Sequence, residues 1–185
     1  MRILQPETYL LGLIGILLVF AILVGRQLLK VRNDEINLIK LEKGGAAASN
    51  QAAELYELAS VQIKKRLYPQ AITTLRKALK QLKSEPEEAK AVIENALGFA
   101  LAAQDDFESA IVHYKNALKS KPDYPVALNN LAFAKQKLLD NDEALNIYNK
   151  VLSIDPKNKT AKKQIQKIEK LIENQPIVTE NNKGF

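Results

Sequence analysis

Side chains able to do acid–base or ligand chemistry are few in this chain. His113 is the only histidine. No Cys, Asp or Glu stands at metal-ligand spacing from it, so it reads as a surface or packing residue rather than a ligand or general base. Asp105-Asp106 and Glu87-Glu88 are adjacent carboxylates. Neighbours in a turn or at a helix start serve the N-cap and the helix dipole rather than share a catalytic proton. There is no Cys, which removes disulfides, cysteine zinc sites, iron–sulfur clusters and thiol catalysis. The glycines of GGAAASN at 44–50 are not followed by Gly-Lys-Ser/Thr, so they do not form a phosphate cradle. An enzyme is not expected, and neither a catalytic residue, a cofactor nor a metal is assigned. What remains is the chemistry of holding another chain. Asn95 and Asn129 stand 34 residues apart, and so do Phe99 and Phe133. A side-chain amide both donates and accepts, so it can grip an extended peptide backbone. The phenylalanines would form apolar seats beside it.

The elements that must position these residues are legible as a repeat. Leu97-Gly98 and Leu131-Ala132 are 34 apart, as are Ala110 and Ala144, Tyr114 and Tyr148, and Pro122 and Pro156. An earlier copy, LYPQAITTLRKALKQL, places Ala71 39 residues before Ala110, so five extra residues fall in KSEPEEAK. A 34-residue period is that of the tetratricopeptide repeat, a helix–turn–helix unit. Small residues (Ala59, Gly98, Ala132) let helix B approach helix A, and Ala71, Ala110 and Ala144 return that small face. Pro122 and Pro156 end each second helix. Ser84 before Pro86 and Glu87 reads as a capped helix start. Three units follow, about 52–85, 91–124 and 125–158, with an amphipathic capping helix over 159–173 and a disordered tail over 174–185. The large aromatic usual in helix A is replaced by Leu55, Glu94 and Leu128, and the helix A Tyr by Gln62, Leu101 and Lys135. In such a solenoid the first helix of each unit lines a concave groove. Counting from the unit starts, the partner-binding face carries Tyr56, Ser60, Ile63 and Lys64, then Asn95, Phe99 and Ala102, then Asn129, Phe133, Gln136 and Lys137. Asn95 and Asn129 are expected to stack as a ladder.

Ahead of the repeat, Thr8 to Gly25 carries no charge. Eighteen residues at about 1.5 Å each give about 27 Å, close to the roughly 30 Å hydrocarbon core of a bilayer. The run starts after Glu7 and has no A-x-A-like cleavage site, so an uncleaved anchor over 1–25 is expected rather than a signal peptide. Arg26, Lys30, Arg32, Lys40 and Lys43 follow it, which puts the rest of the chain on the cytoplasmic or equivalent side. Residues 26–51 then read as a basic juxtamembrane helix and a Gly/Ala joint. The chain of 185 residues is 46% hydrophobic with a net charge of +6, which excludes disorder throughout. The lysines of 159–170 lack accompanying aromatics or an Arg cluster, so nucleic acid is not the expected partner.

The combination of YLLGLIGILL, VGRQLL, LYPQAI, ALGFALAAQ and KPDYPVALNNLA closely resembles a family of thylakoid-anchored tetratricopeptide proteins of plastids and cyanobacteria. The resemblance covers nearly the whole chain. It implies an all-α fold, with one transmembrane helix and then a right-handed solenoid. It implies a non-enzymatic, protein-binding adaptor that assists photosystem I assembly or stability from the stromal or cytoplasmic face of the thylakoid membrane. Photosystem I subunits would be its partners, and lipid would contact 8–25. The other reading is a general membrane-bound scaffold or quality-control factor with different clients. The carboxylate clamp of chaperone-binding repeats is not matched, because its positions hold Tyr56, Ser60, Ala96, Val126 and Asn130.

Overall fold

The computed structural model of the chain describes residues 6–43, 51–82 and 86–173. The described residues form eight α-helices and no strand. They divide into two units, Met1–Ala48 and Ser49–Phe185.

The first unit is one unbroken helix, α1 (Pro6–Lys43). Proline at its first position is pre-set for a helix start, and no later proline interrupts the run. The side chains from Tyr9 to Val24 are exposed. Tyr9–Asn33 has a mean hydropathy of 2.3 and is long and apolar enough to cross a membrane. A helix apolar on every face needs an apolar surround. The Gly/Ala joint at 44–50, the capped start at Ser84 and the tail at 174–185 lie outside the described residues.

The second unit is three helix pairs and a last helix. The pairs are α2 (Ala52–Lys64) with α3 (Tyr68–Gln81), α4 (Glu87–Ala102) with α5 (Phe107–Ser120), and α6 (Pro125–Lys137) with α7 (Asn141–Ile154); α8 (Lys159–Glu173) closes the end. Each helix packs on the next, and α4 also touches α2 and α6. The first helices of successive units are therefore the more closely approaching layer, which is the concave one. Helix α4 begins at Glu87, four residues ahead of the 34-residue frame. The extra sequence between the first two copies is thus partly helix, with Glu87 and Glu88 favourably placed in its first turn.

The turn inside each pair is the same device three times. Arg66, Asp105 and Leu139 have φ of 61°, 61° and 64°. Their N–H groups bond back to Ile63, Ala102 and Gln136, and the next N–H bonds five residues back, to Gln62, Leu101 and Lys135. This is a Schellman cap, built each time without the glycine that usually occupies the left-handed position. The following helix is then capped by a side chain in two units: Asp106 Oδ1 accepts from Ser109 N–H at 3.1 Å and Asp140 Oδ1 from Glu143 N–H at 3.4 Å. In the first unit proline near the start of α3 takes that place.

The core is built where the small residues meet the large. Ala59, Ala71, Ala110, Ala132 and Ala144 are fully buried, and Tyr114, Tyr148, Leu75 and Leu97 are the bulk packed among them. Two of the unusual residues of the first helices find partners, whereas Gln62, in the Tyr position of α2, is buried with its Oε1 unpartnered. Glu94, in the aromatic position of α4, is buried and meets His113 Nδ1 at 2.6 Å. Lys135, in the Tyr position of α6, reaches Asp140 at 3.0 Å and also pairs with Glu143. These two carboxylates raise the Lys135 pKa, Glu143 more than Asp140, and the Lys135 hydrogen bond lowers that of Asp140. On α8, Ala161 and Ile168 are buried and Ile165 is half-buried, whereas Ile172, expected on the same face, is 46% exposed.

Tyr148 is 0% exposed and its hydroxyl has no hydrogen-bond partner. Burial pushes the phenol from 10.0 up to about 12. The folded state therefore holds this proton more tightly than the unfolded chain, so the stability it contributes is intact below pH 10 and is lost as pH rises through about 12. Tyr148→Phe removes only an unpartnered polar atom. At neutral pH it is expected to leave stability unchanged or raise it by up to about 1 kcal/mol. Above pH 10 the variant should lose less stability than the wild type. Thermal melts at neutral and alkaline pH check both.

Candidate partner-binding groove

The face read from the sequence is carried by α2, α4 and α6, and the structure sorts its residues into two clusters. The first lies toward the start of the solenoid. Tyr56 is half-buried and borders an apolar depression of about 340 Å³ with Ala52, Ala53, Val92 and Ile93. Asn95 is next to it on α4. Asn130 Nδ2 donates to Asn95 Oδ1 at 3.0 Å, and Asn95 also hydrogen-bonds Tyr124. The Tyr124 phenol is raised, by burial first and then by the neighbouring Tyr56, against the opposing effect of Asn95.

The second cluster lies toward the end. Phe133 is 39% exposed and meets Phe107 edge-on, with ring centres 6.5 Å apart. Lys137 Nζ sits 5.5 Å from the Phe133 ring centre, a cation–π approach. Gln136 Oε1 is buried without a partner. With Leu139, Lys167 and Leu171, these residues line a pocket of about 290 Å³ between α6 and α8. Phe99, 43% exposed on α4, lies in neither of these two linings.

Several details depart from the sequence reading. Asn95 and Asn129 do not stack. The residue paired with Asn95 is Asn130, one step further on. Asn129 instead donates from Nδ2 to Asn158 Oδ1 at 3.3 Å, while its own Oδ1 is buried without a partner. Ser60 Oγ donates to the Tyr56 carbonyl at 2.8 Å, so its proton is committed to its own helix. Lys64 is exposed at the end of α2 and lines neither pocket. Ile63 and Ala102 pack against the core. Tyr124 had no groove role in the sequence reading, and Asn130 entered it only as a position of the unmatched carboxylate clamp. The one signal for Tyr124 was its place in KPDYP, immediately before the proline that starts α6.

Helix pairs stacked around a groove of amides, aromatics and lysines define a tetratricopeptide-repeat protein, a protein-binding adaptor fold. A family model described as "Tetratricopeptide repeat" matches residues 101–166. Among curated proteins, the ycf37 proteins of Cyanophora paradoxa and Guillardia theta are 36% and 30% identical over 80% and 87% of this chain, covering 85% and 90% of their own lengths. The chain belongs to the ycf37 family of tetratricopeptide-repeat proteins. The chloroplastic tetratricopeptide protein PYG7 of Arabidopsis thaliana is 33% identical over 84% of the chain, which spans only 51% of PYG7.

Solved structures agree on the fold. The first tetratricopeptide domain of Spaghetti (RPAP3), bound to the HSP90 peptide SRMEEVD, has a TM-score of 0.61 at 23% identity over 68% of this chain and 98% of that one. MamA has a TM-score of 0.69 at 21% identity over 78% and 81%. At such identities the likeness is one of fold alone.

Proposed function

We propose that this protein is a membrane-tethered adaptor that holds segments of photosystem I subunits in its groove during assembly or stabilisation of that complex. The observation that carries the adaptor reading is the groove itself. Two half-exposed phenylalanines, Phe99 and Phe133, recur one unit apart beside side-chain amides on a rigid helical layer. Large apolar side chains held in solvent on helices otherwise well buried mark a binding face. The membrane reading rests on α1, whose apolar stretch has bilayer length. The thylakoid and photosystem I reading rests on the sequence resemblance, and the chloroplastic relative PYG7 is consistent with it. Anchoring by α1, with the basic flank Arg26, Lys30 and Arg32 on the stromal or cytoplasmic side, confines the groove to the membrane surface. There it meets nascent membrane subunits at high effective concentration. The RPAP3 domain binds an HSP90 peptide; here the clamp positions hold Tyr56, Ser60, Ala96, Val126 and Asn130, so chaperone tails are not the proposed client.

The test is co-purification of the full chain from mildly solubilised thylakoids. Photosystem I core subunits, in particles smaller than the finished complex, are the expected partners. The double variant Phe99→Ala, Phe133→Ala should lower their recovery by about tenfold, the loss typical of central aromatic anchors, while far-UV helicity stays unchanged. Recovery of unrelated membrane proteins instead would favour a general scaffold. Undiminished recovery by the double variant would remove the groove from the account.

A further inference from the structure

The pocket between α6 and α8 has a chemistry of its own, distinct from the apolar depression at the other end of the groove. Its cationic groups are Lys137 and Lys167. Neither is paired with a carboxylate among the described residues. Its apolar groups are Phe133, Leu171 and Leu139, which are 39%, 56% and 83% exposed. Its remaining polar side chains are Gln136, Asn141 and Gln164; Gln136 Oε1 is closed off from the surface and unpartnered.

Leu139 is the informative residue. It occupies the left-handed position of the third Schellman turn, φ 64°, where the second unit has the better-suited Asp105. Leucine is strained there, and it is also the most exposed of the large apolar residues described. Neither cost is offset by burial within the chain, and such uncompensated features gather where a ligand seats.

We propose that this pocket is the seat for an extended acidic–aliphatic segment of a partner protein: an aliphatic side chain against Leu139, Leu171 and Phe133, and flanking carboxylates on Lys137 and Lys167. The proposal rests on the reading of this face as partner-binding and names the chemistry it selects. Two free ammonium groups without an acid call for anionic residues. An anionic headgroup would satisfy the lysines alone, whereas an acidic–aliphatic peptide also covers the exposed Leu139, Leu171 and Phe133. The seat is contributed by the capping helix and the third turn, so it is separate from the clamp positions that this chain lacks.

The experiment uses the full chain in neutral-lipid nanodiscs. The probe is an end-capped fluorescent peptide carrying the run Asp-Glu-Leu-Glu, and the control has the acids replaced by Gln. The acidic peptide should bind more tightly than the control, and more weakly as salt rises. Lys137→Glu with Lys167→Glu, both exposed and so harmless to folding, should weaken it at least about tenfold. Leu139→Asn should raise the melting temperature, by relieving the left-handed leucine, and still weaken the peptide several-fold. A merely structural leucine would give the first effect without the second.

Amine labelling read by mass spectrometry supplies the other arm. The acidic peptide should protect Lys137 and Lys167 in neutral nanodiscs. Protection only when the nanodisc contains phosphatidylglycerol, with none from the peptide, would assign the lysines to the membrane and overturn the proposal. Peptide binding untouched by the double charge reversal would overturn it too. If the reversal leaves client recovery from thylakoids intact while Phe99→Ala abolishes it, this seat fails and the groove stands. If neither variant matters, the groove reading itself fails.

Discussion

Gly98→Ala is expected to destabilise the solenoid by about 1–2 kcal/mol, against the sign that helix propensity alone dictates. In an ordinary helix interior the change from Gly to Ala gains about 1 kcal/mol. Here a β-carbon at position 98 would stand 2.7 and 2.8 Å from Tyr114 Cε1 and Cδ1 and 3.1 Å from the Ala110 carbonyl oxygen. The ring belongs to a side chain only 2% exposed and the oxygen to a helix backbone, so neither yields without moving α5 away from α4. Overpacking of this kind costs about 1–3 kcal/mol in well-packed cores, and it acts against the propensity gain.

The other units supply the controls. The equivalent pairs are Ala59 with Leu75 and Ala132 with Tyr148. The first shows that a β-carbon is tolerated opposite a leucine. The second shows that it is tolerated opposite a tyrosine where the two helices pack to suit it. Gly98→Ala combined with Tyr114→Leu should therefore recover part of the loss. Chemical denaturation of the two variants measures the effect, and a neutral or stabilising Gly98→Ala would show that α4 and α5 are free to separate.

His113→Ala is expected to cost about 3 kcal/mol, for a different reason. Glu94 has 8% of its side chain exposed, and the partner at its carboxylate is His113 Nδ1 at 2.6 Å. Removing the imidazole leaves a buried carboxylate without its donor, and breaking one side of such a pair costs about 3–5 kcal/mol in other proteins. The 22% exposure of the His113 side chain lets water return in part, which places the expectation at the lower end. Replacing both partners by leucine removes the polar requirement altogether and should restore most of the stability. Glu94→Leu alone should be mild, because leucine is what the first and third units hold at that position, Leu55 and Leu128. A double-mutant cycle read by denaturant melts gives the coupling energy directly. A coupling near zero would mean that the pair is only a close approach on the surface of α4 and α5.

These two sites differ in how far the sequence announced them. Gly98 was legible from its place in the 34-residue register with Ala132. A small residue recurring at one helical position says that another helix comes close there. Its intolerance of even a methyl group was not legible, because that depends on the ring of Tyr114, sixteen residues away, lying over it. Glu94 looked like a defect in the repeat, and His113 looked solitary. Their pairing spans 19 residues and arises only when α5 folds back on α4. The same holds for Lys135, whose partners Asp140 and Glu143 lie across the turn.

The sequence by itself determined the period, the helix pairing, the positions of the small and large core residues and the apolar run of bilayer length. Each of these depends on residue type at fixed spacing along one helix or from one unit to the next, which is local information. Tertiary structure decided which groove residues meet. It set Asn130, not Asn129, against Asn95. The fold-back of α8 onto the third unit turned Phe133, Gln136 and Lys137 from a row on one helix into one wall of a pocket completed by Lys167 and Leu171. Side-chain partners across a solenoid are fixed by the angle and offset between helices. Those follow from the summed packing of all the interfaces, not from any single repeat read along the chain.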